Sequence, residues 1–283
     1  MDIQLIGVVG SGQMGSGIAE AAVVSGFRVR MRDITEEALD RGKRRIAGDL
    51  ERRVQKGKVT PEEREAILGR LIVTTRLEEL KACDFIVEAA TENVPLKGEI
   101  FKALDGLARP GVILASNTSS ISITRIGSFT RRADRVIGMH FFNPVPVMKL
   151  VEVIRGLETS DETFRVTKDL CERLGKSPLE AKDYPGFVSS RLIFSYMNEG
   201  IFALYEGLGT ARDIDEIMKL GANHPMGPLE LADFVGLDTV LSVMRVLQDA
   251  FGDKYRPCPL LVKHVEAGRL GVKAGRGIYS YKA

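Results

Sequence analysis

The sequence predicts an α/β protein in two parts: a doubly wound parallel sheet with a projecting helical arm, then an all-α domain. Three observations predict it. Short apolar runs alternate with helical stretches through the first half. A glycine-rich turn joins the first apolar run to the first helix. The alternation stops at Asp183-Tyr184-Pro185-Gly186, a turn signal that divides residues 1–183 from 184–283.

The elements follow in order. Ile3–Val9 reads as a buried strand, and Ser16–Ser25 as the helix after it. Arg28–Arg32 is a second strand. The charged stretch Thr35–Gly57 and a helix opened by Thr60-Pro61 form a pair longer than a simple crossover needs, so the pair is expected to project. Leu71–Thr74, Phe85–Glu88, Val112–Ala115 and Val136–Met139 are short runs suited to parallel strands. Beyond Gly186 the pattern is helical: Phe187–Leu208, a helix opened by Thr210-Ala211-Arg212-Asp213 and stopped by Gly221, then Leu229–Phe251 and Leu260–Ala267. Phe187–Leu208 carries apolar residues on most faces. A domain of about 100 residues cannot bury that much alone, so a second copy of the chain is the expected cover.

Composition narrows the function. A chain of 283 residues with 44% hydrophobic and 28% charged residues is an ordinary globular sequence. A net charge of +2 supplies no field for nucleic acid or a membrane surface. No apolar run reaches the ~20 residues of a bilayer span. The N-terminus shows no basic segment followed by a cleavage pattern. Three cysteines without CxxC spacing argue against a disulfide framework or zinc site and fit the cytoplasm. The three histidines have no metal-ligand spacing, so no metal is expected.

Gly10-Ser11-Gly12-Gln13-Met14-Gly15 is a GxGxxG turn between a strand and a helix. Gly10 permits the tight turn, Gly12 lets the backbone approach a pyrophosphate, and Gly15 allows close helix packing. Alone the motif is weak, since glycines are common in turns. Asp33 ends the second strand at the distance where an acid meets the ribose, and this makes the unit a Rossmann-type dinucleotide site. A carboxylate there repels a 2′-phosphate and points to NAD; Arg32 beside it leaves NADP open.

Two polar islands fall at strand ends. Ser116-Asn117-Thr118-Ser119-Ser120 follows one strand, and His140 ends another within GMHFFNPVPVMKLVEVI, where Glu152 is the only acid. The plain alternatives are helix capping for the serines, a satisfied core histidine, and a solvated strand-end glutamate. They weaken because ligands collect outside the carboxyl ends of strands in such a sheet.

Four stretches, ASNTSS, GMHFFNPVPVMKLVEVI, KDYPGFVSSR and HPMGPLELADFVGLD, resemble the short-chain L-3-hydroxyacyl-CoA dehydrogenases, and bacterial 3-hydroxybutyryl-CoA dehydrogenases in particular. The resemblance spans essentially the whole chain. It implies a homodimer, joined through the helical domain, that exchanges a hydride between NAD and an (S)-3-hydroxyacyl-CoA. Carried over by position, Ser119, His140 and Glu152 match the catalytic serine, histidine and glutamate. Asn143 matches an asparagine near the nicotinamide and substrate. Glu92, Lys97, Asn117 and the backbone at Ala89 match cofactor contacts, beside Gln13 and Met14 of the turn. The chemistry suits these types. An imidazole titrates near neutrality and can take the hydroxyl proton that must leave with the hydride. An acid on its other nitrogen fixes the tautomer, as in Ser-His-Asp triads.

One site position departs from the family pattern. Ser190 stands in PGFVSSR where most members have asparagine, which puts the bond to the substrate carbonyl in doubt. Val272 also replaces a residue that is often basic. In the basic stretch Arg41–Lys58, Arg52 and Lys56 are spaced i,i+4 and could face a CoA phosphate together. The bland reading of that stretch is a solvated helix face. Two other functions remain in view: a dehydrogenase of a non-CoA hydroxy acid, resembling lambda-crystallin-like gulonate enzymes, and a non-catalytic nucleotide-binding protein. The basic arm disfavours the first. The joint presence of Ser119, His140 and Glu152 disfavours the second.

Overall fold

Eight strands form one sheet in the computed structural model, which describes residues 2–281. They are β1 (Leu5–Val9), β2 (Arg28–Arg32), β3 (Leu71–Thr74), β4 (Phe85–Glu88), β5 (Ile113–Ser116), β6 (Val136–Phe141), β7 (Leu150–Arg155) and β8 (Ser177–Lys182). The order across the sheet is β3-β2-β1-β4-β5-β6-β7-β8. The first six run parallel, as expected from the alternating pattern. β7 returns antiparallel beside β6, and β8 pairs parallel to β7. These last two strands extend the sheet beyond the six read from sequence.

The chain forms two compact units, Met1–Asp183 and Tyr184–Ala283. In the first, α1 (Gln13–Val24), α2 (Glu36–Gln55), α3 (Pro61–Leu68), α4 (Val94–Leu107), α5 (Ile123–Gly127) and α6 (Asp161–Arg173) connect the strands. Side chains alternate across a strand, so each strand serves two cores. Val8, Val87, Ala115, Met139 and Val153 face α1, α2 and α6. Glu88, Ser116, His140 and Glu152 have the opposite parity and share the other face. The helical arm is less free than expected. Leu39, Ile46 and Leu50 of α2 are fully buried, so its inner face packs down, while its outer face, with Asp40, Arg41, Arg44 and Arg52, and the segment Gln55–Lys58 are exposed. Thr60 and Glu63 close a reciprocal capping box on α3.

The second unit is helical: α7 (Ser189–Tyr205), α8 (Ala211–Ala222), α9 (Pro228–Val235), α10 (Leu237–Phe251) and α11 (Pro259–Glu266). Met197, Leu229, Val240, Met244 and Leu261 centre its core. The single helix expected over Leu229–Phe251 is broken at Gly236, whose φ of 102° interrupts the helical turn. Helix α8 opens on Thr210 as expected but ends at Asn223 in the left-handed conformation, two residues past Gly221. Among the described residues no helix is long and apolar enough to cross a membrane.

Helix α1 carries a buried acid away from the strand ends. Glu20 of α1 is 1% exposed and pairs with Arg53 at 3.0 Å. Burial pushes its carboxyl from 4.5 up to about 7, although Arg53, Arg52 and Lys176 pull the other way. The folded state therefore holds a proton that the unfolded chain has released. Stability from this group is complete below about pH 4.5 and is lost as pH rises through about 7, by roughly 3 kcal/mol. Glu20→Gln should flatten that loss, so that its urea midpoint gains on wild type between pH 5 and pH 8. An equal difference at both pH values would show that Glu20 ionises normally.

Candidate active site

The ends of the parallel strands lie level. Register pairs Arg32 with Val9, Val9 with Glu88, Glu88 with Ser116 and Ser116 with Gly138. The residues just beyond continue the ladder: Gly10 N–H donates to Arg32 O (2.7 Å), Ala89 N–H to Val9 O (2.7 Å) and Asn117 N–H to Glu88 O (2.8 Å). Asp33, Gly10, Ala89 and Asn117 thus stand in one row at the carboxyl edge, where such folds hold ligands.

The three glycines of the turn serve different needs. Gly10 has φ 101°, and a Cβ there would sit 2.6 Å from Ala89 O. A Cβ on Gly15 would strike Gly10 O at 2.0 Å. These two are required by the turn itself. A Cβ on Gly12 would meet no protein atom within 4 Å, so nothing in the fold forbids a side chain there. Its absence keeps the approach to the N-terminus of α1 clear, and no side chain caps that terminus. This is the cradle a pyrophosphate needs. Asp33 closes the loop from behind: its Oδ2 accepts from Ser11 N–H (2.6 Å) and Ser11 Oγ–H (2.7 Å), and its Oδ1 from Ile34 N–H (2.7 Å). Burial raises the Asp33 pKa, but these bonds and Arg32 outweigh it and hold the carboxyl below its ordinary value. It stays anionic at the carboxyl edge of the sheet.

His140 and Glu152 are register partners across β6 and β7, so both side chains leave the same face of the antiparallel pair. His140 Nδ1 and Glu152 Oε2 lie 2.8 Å apart. Both are nearly buried, at 8% and 4% exposed. An apolar run therefore tolerates one imidazole and one carboxylate because they satisfy each other. The solvated strand-end reading of Glu152 does not survive this burial. Asn117 adds a third support, accepting from Phe141 N–H with its side-chain oxygen at 2.9 Å and so fixing the backbone next to His140.

Ser119 stands on a turn built around Glu92. Oε1 of Glu92 accepts from Thr118 Oγ1–H (2.5 Å), Ser119 N–H (3.1 Å), Ser120 N–H (3.1 Å) and Ser120 Oγ–H (2.9 Å). Burial raises the Glu92 pKa, yet nearby Lys97 and these bonds bring it below the ordinary glutamate value. Gln13 and Asn143, 130 residues apart, meet through a 2.9 Å bond between their side-chain amides. Lys97 is 1% exposed and pairs with Glu88 at 2.7 Å. Glu88 was missed by sequence reasoning. Its one legible sign was an acid closing the otherwise apolar run Phe85–Val87.

The remaining expected residues belong to helices α2 and α7 and their ends. Arg52 is exposed in the last turn of α2 and is ion-paired with Asp49. Lys56 is the capping residue beyond Gln55, so the i,i+4 pair straddles the helix end. Ser190 belongs to the first turn of α7, in the second unit.

A family model described as "3-hydroxyacyl-CoA dehydrogenase, NAD binding domain" matches residues 5–184, and one for the C-terminal domain of the same family matches residues 186–281. The chain belongs to the 3-hydroxyacyl-CoA dehydrogenase family. It is 54% identical over 283 residues to a Bacillus subtilis protein named "Probable 3-hydroxybutyryl-CoA dehydrogenase", covering 100% of this chain and 99% of that one. It is 50% identical over 281 residues to the 3-hydroxybutyryl-CoA dehydrogenase of Bradyrhizobium diazoefficiens, covering 99% and 96%. The crystal structure of the (S)-3-hydroxybutyryl-CoA dehydrogenase of Ralstonia eutropha superposes with a TM-score of 0.96 at 51% identity, covering both chains fully. Family members of this kind are NAD-dependent oxidoreductases, and the glycine turn with Asp33 fits that cofactor.

Asp33 gives a direct test of cofactor choice. Asp33→Ala removes both the anion and the tether to Ser11. NADH should bind more weakly and NADPH should gain relative to it, read as the ratio of kcat/KM for the two cofactors. A wild type that uses both equally would remove Asp33 from that role.

Proposed function

We propose that the chain interconverts (S)-3-hydroxybutanoyl-CoA and acetoacetyl-CoA by hydride exchange with NAD. The observation that carries this reading is the His140–Glu152 pair at the strand edge that also holds the glycine turn and the Ser119 turn. The end-to-end identity to proteins named for this reaction supports it.

When bound, NAD supplies the hydride acceptor or donor. The chain's own groups handle the rest. His140 exchanges the hydroxyl proton through Nε2, because Glu152 engages Nδ1 and fixes the tautomer. Glu152 also favours the imidazolium that forms as the alcohol is oxidised. The Ser119 hydroxyl donates to the substrate oxygen, from a turn that Glu92 holds in place. Asn143, steadied by Gln13, stands beside the nicotinamide. Glu92, Lys97, Asn117 and the backbone at Ala89 line the cofactor, with Gln13 and Met14 at its phosphates. Ser190 takes the bond to the substrate carbonyl that asparagine makes elsewhere in the family. Arg52 and Lys56 meet the CoA phosphates; Arg52 must then exchange Asp49 for phosphate.

The same reading has the protein acting as a cytoplasmic homodimer. Leu192, Leu208, Ile217, Leu220 and Phe234 of the second unit are exposed apolar residues suited to a second copy. Buried thiols at Cys83, Cys171 and Cys258 accord with a reducing compartment.

The test is NADH oxidation with acetoacetyl-CoA beside free acetoacetate. Activity on the thioester alone is the expected result; a preference for the free acid would favour the non-CoA reading. In the same assay His140→Ala should lower kcat at least ~10²-fold, the scale for losing a general base, while NADH affinity measured by fluorescence is kept. Full turnover by that variant would reduce His140 to a core residue. Ser190→Asn should move kcat/KM for acetoacetyl-CoA by roughly three- to tenfold and leave NADH affinity alone. A change below twofold would take Ser190 out of the site.

A further inference from the structure

Beneath the Ser119 turn lies a second carboxylate that the proposed reaction does not use. Glu88 ends β4 and its side chain is fully buried. Its Oε1 accepts from Lys97 Nζ (2.7 Å) and Ala90 N–H (2.6 Å), and its Oε2 accepts from Ser116 Oγ–H (2.7 Å). Its backbone oxygen takes Asn117 N–H at 2.8 Å. One residue therefore ties together the loop after β4, the end of β5 and helix α4.

Each tie leads to a group in the proposed reaction. Ser116 Oγ, while donating to Glu88, lies 3.3 Å from Thr118 N–H and accepts from it, one residue before Ser119. Lys97, anchored on Glu88, also reaches Ala90 O at 3.3 Å and Glu92 Oε2 at 3.5 Å. Glu92 in turn accepts from Ser119 and Ser120 N–H. The turn that presents the Ser119 hydroxyl is thus held from above by Glu92 and from below by Ser116, with Lys97 linking the two acids. A buried carboxylate with a lysine and a serine on it costs more desolvation than an apolar core would.

We propose that Glu88 is a positioning residue for hydride transfer. Acting through Ser116 and Lys97, it fixes the Asn117–Ser120 turn and so sets the place of the Ser119 hydroxyl. The proposal rests on the reading that Ser119 holds the substrate oxygen.

A double-mutant cycle between Glu88→Gln and Ser119→Ala separates this from a structural role. Glutamine keeps the volume but cannot serve Lys97 as an anion. Acetoacetyl-CoA reduction by NADH is measured for all four proteins, with urea midpoints recorded beside the kinetics. Glu88→Gln should lower kcat roughly tenfold when Ser119 is present and less than twofold when it is alanine. The same factor in both backgrounds, or an unchanged kcat, overturns the proposal while leaving the function intact. If Ser119→Ala itself keeps full activity, the Ser119 reading fails and the proposal fails with it. Should Glu88→Gln not fold, Ser116→Ala takes its place in the cycle, since it cuts the link to the turn and leaves the Glu88–Lys97 pair. The same dependence on Ser119 is then expected, and its absence overturns the proposal.

Discussion

The 2.8 Å contact between His140 and Glu152 depends on a single reversal of chain direction. Parallel β6 brings His140 to the ligand edge with the other strand ends. Antiparallel β7 then returns along it, so that Glu152 lies directly opposite in register. A one-residue slip would turn Glu152 to the other face, beside Met139 and Phe141, and turn Val151 and Val153 out of the core they now fill. The burial of these apolar side chains therefore fixes the register that pairs His140 with Glu152. Removing one member of a buried ion pair while the other stays charged costs about 3–5 kcal/mol.

The rest of the site uses the same economy of placement. Strand parity collects Glu88, Ser116, His140 and Glu152 on one face, while the opposite face is filled by aliphatic residues against α1, α2 and α6. Level strand ends then set Gly10, Ala89 and Asn117 in a row. Negative charge is concentrated at that edge, on Asp33, Glu88, Glu92 and Glu152, and each acid has assigned partners: Ser11 and Ile34, Lys97 and Ser116, the Thr118–Ser120 turn, and His140. The hydrogen bonds that hold these groups also aim them.

Much of this was legible in the sequence. The strand–glycine–helix order and Asp33 located the cofactor turn, because those residue types have backbone reasons to be there. His140 and Glu152 stood out as polar exceptions in an apolar run. Other features left weaker marks. β8 reads Ser177-Pro178-Leu179-Glu180-Ala181-Lys182, an exposed edge strand whose proline and polar residues mask any alternation. The direction of β7 cannot be read from Val151-Glu152-Val153 alone, since periodicity is blind to it. The break at Gly236 was hidden because apolar helical spacing continues through it. Glu88 looked like an ordinary strand end; only the fold returns Lys97, nine residues later, to its carboxylate.

Nitrogen NMR of the histidines tests the central pair most directly. The chain has only three, and His140→Gln identifies the signals of interest. With imidazole nitrogen-15 labelled and His140 neutral, the proton should sit on Nδ1, held by Glu152, and not on Nε2. Glu152→Ala should mix the two tautomers. A wild-type signal with the proton on Nε2 would contradict this, because His140 could not then accept the substrate's proton as described.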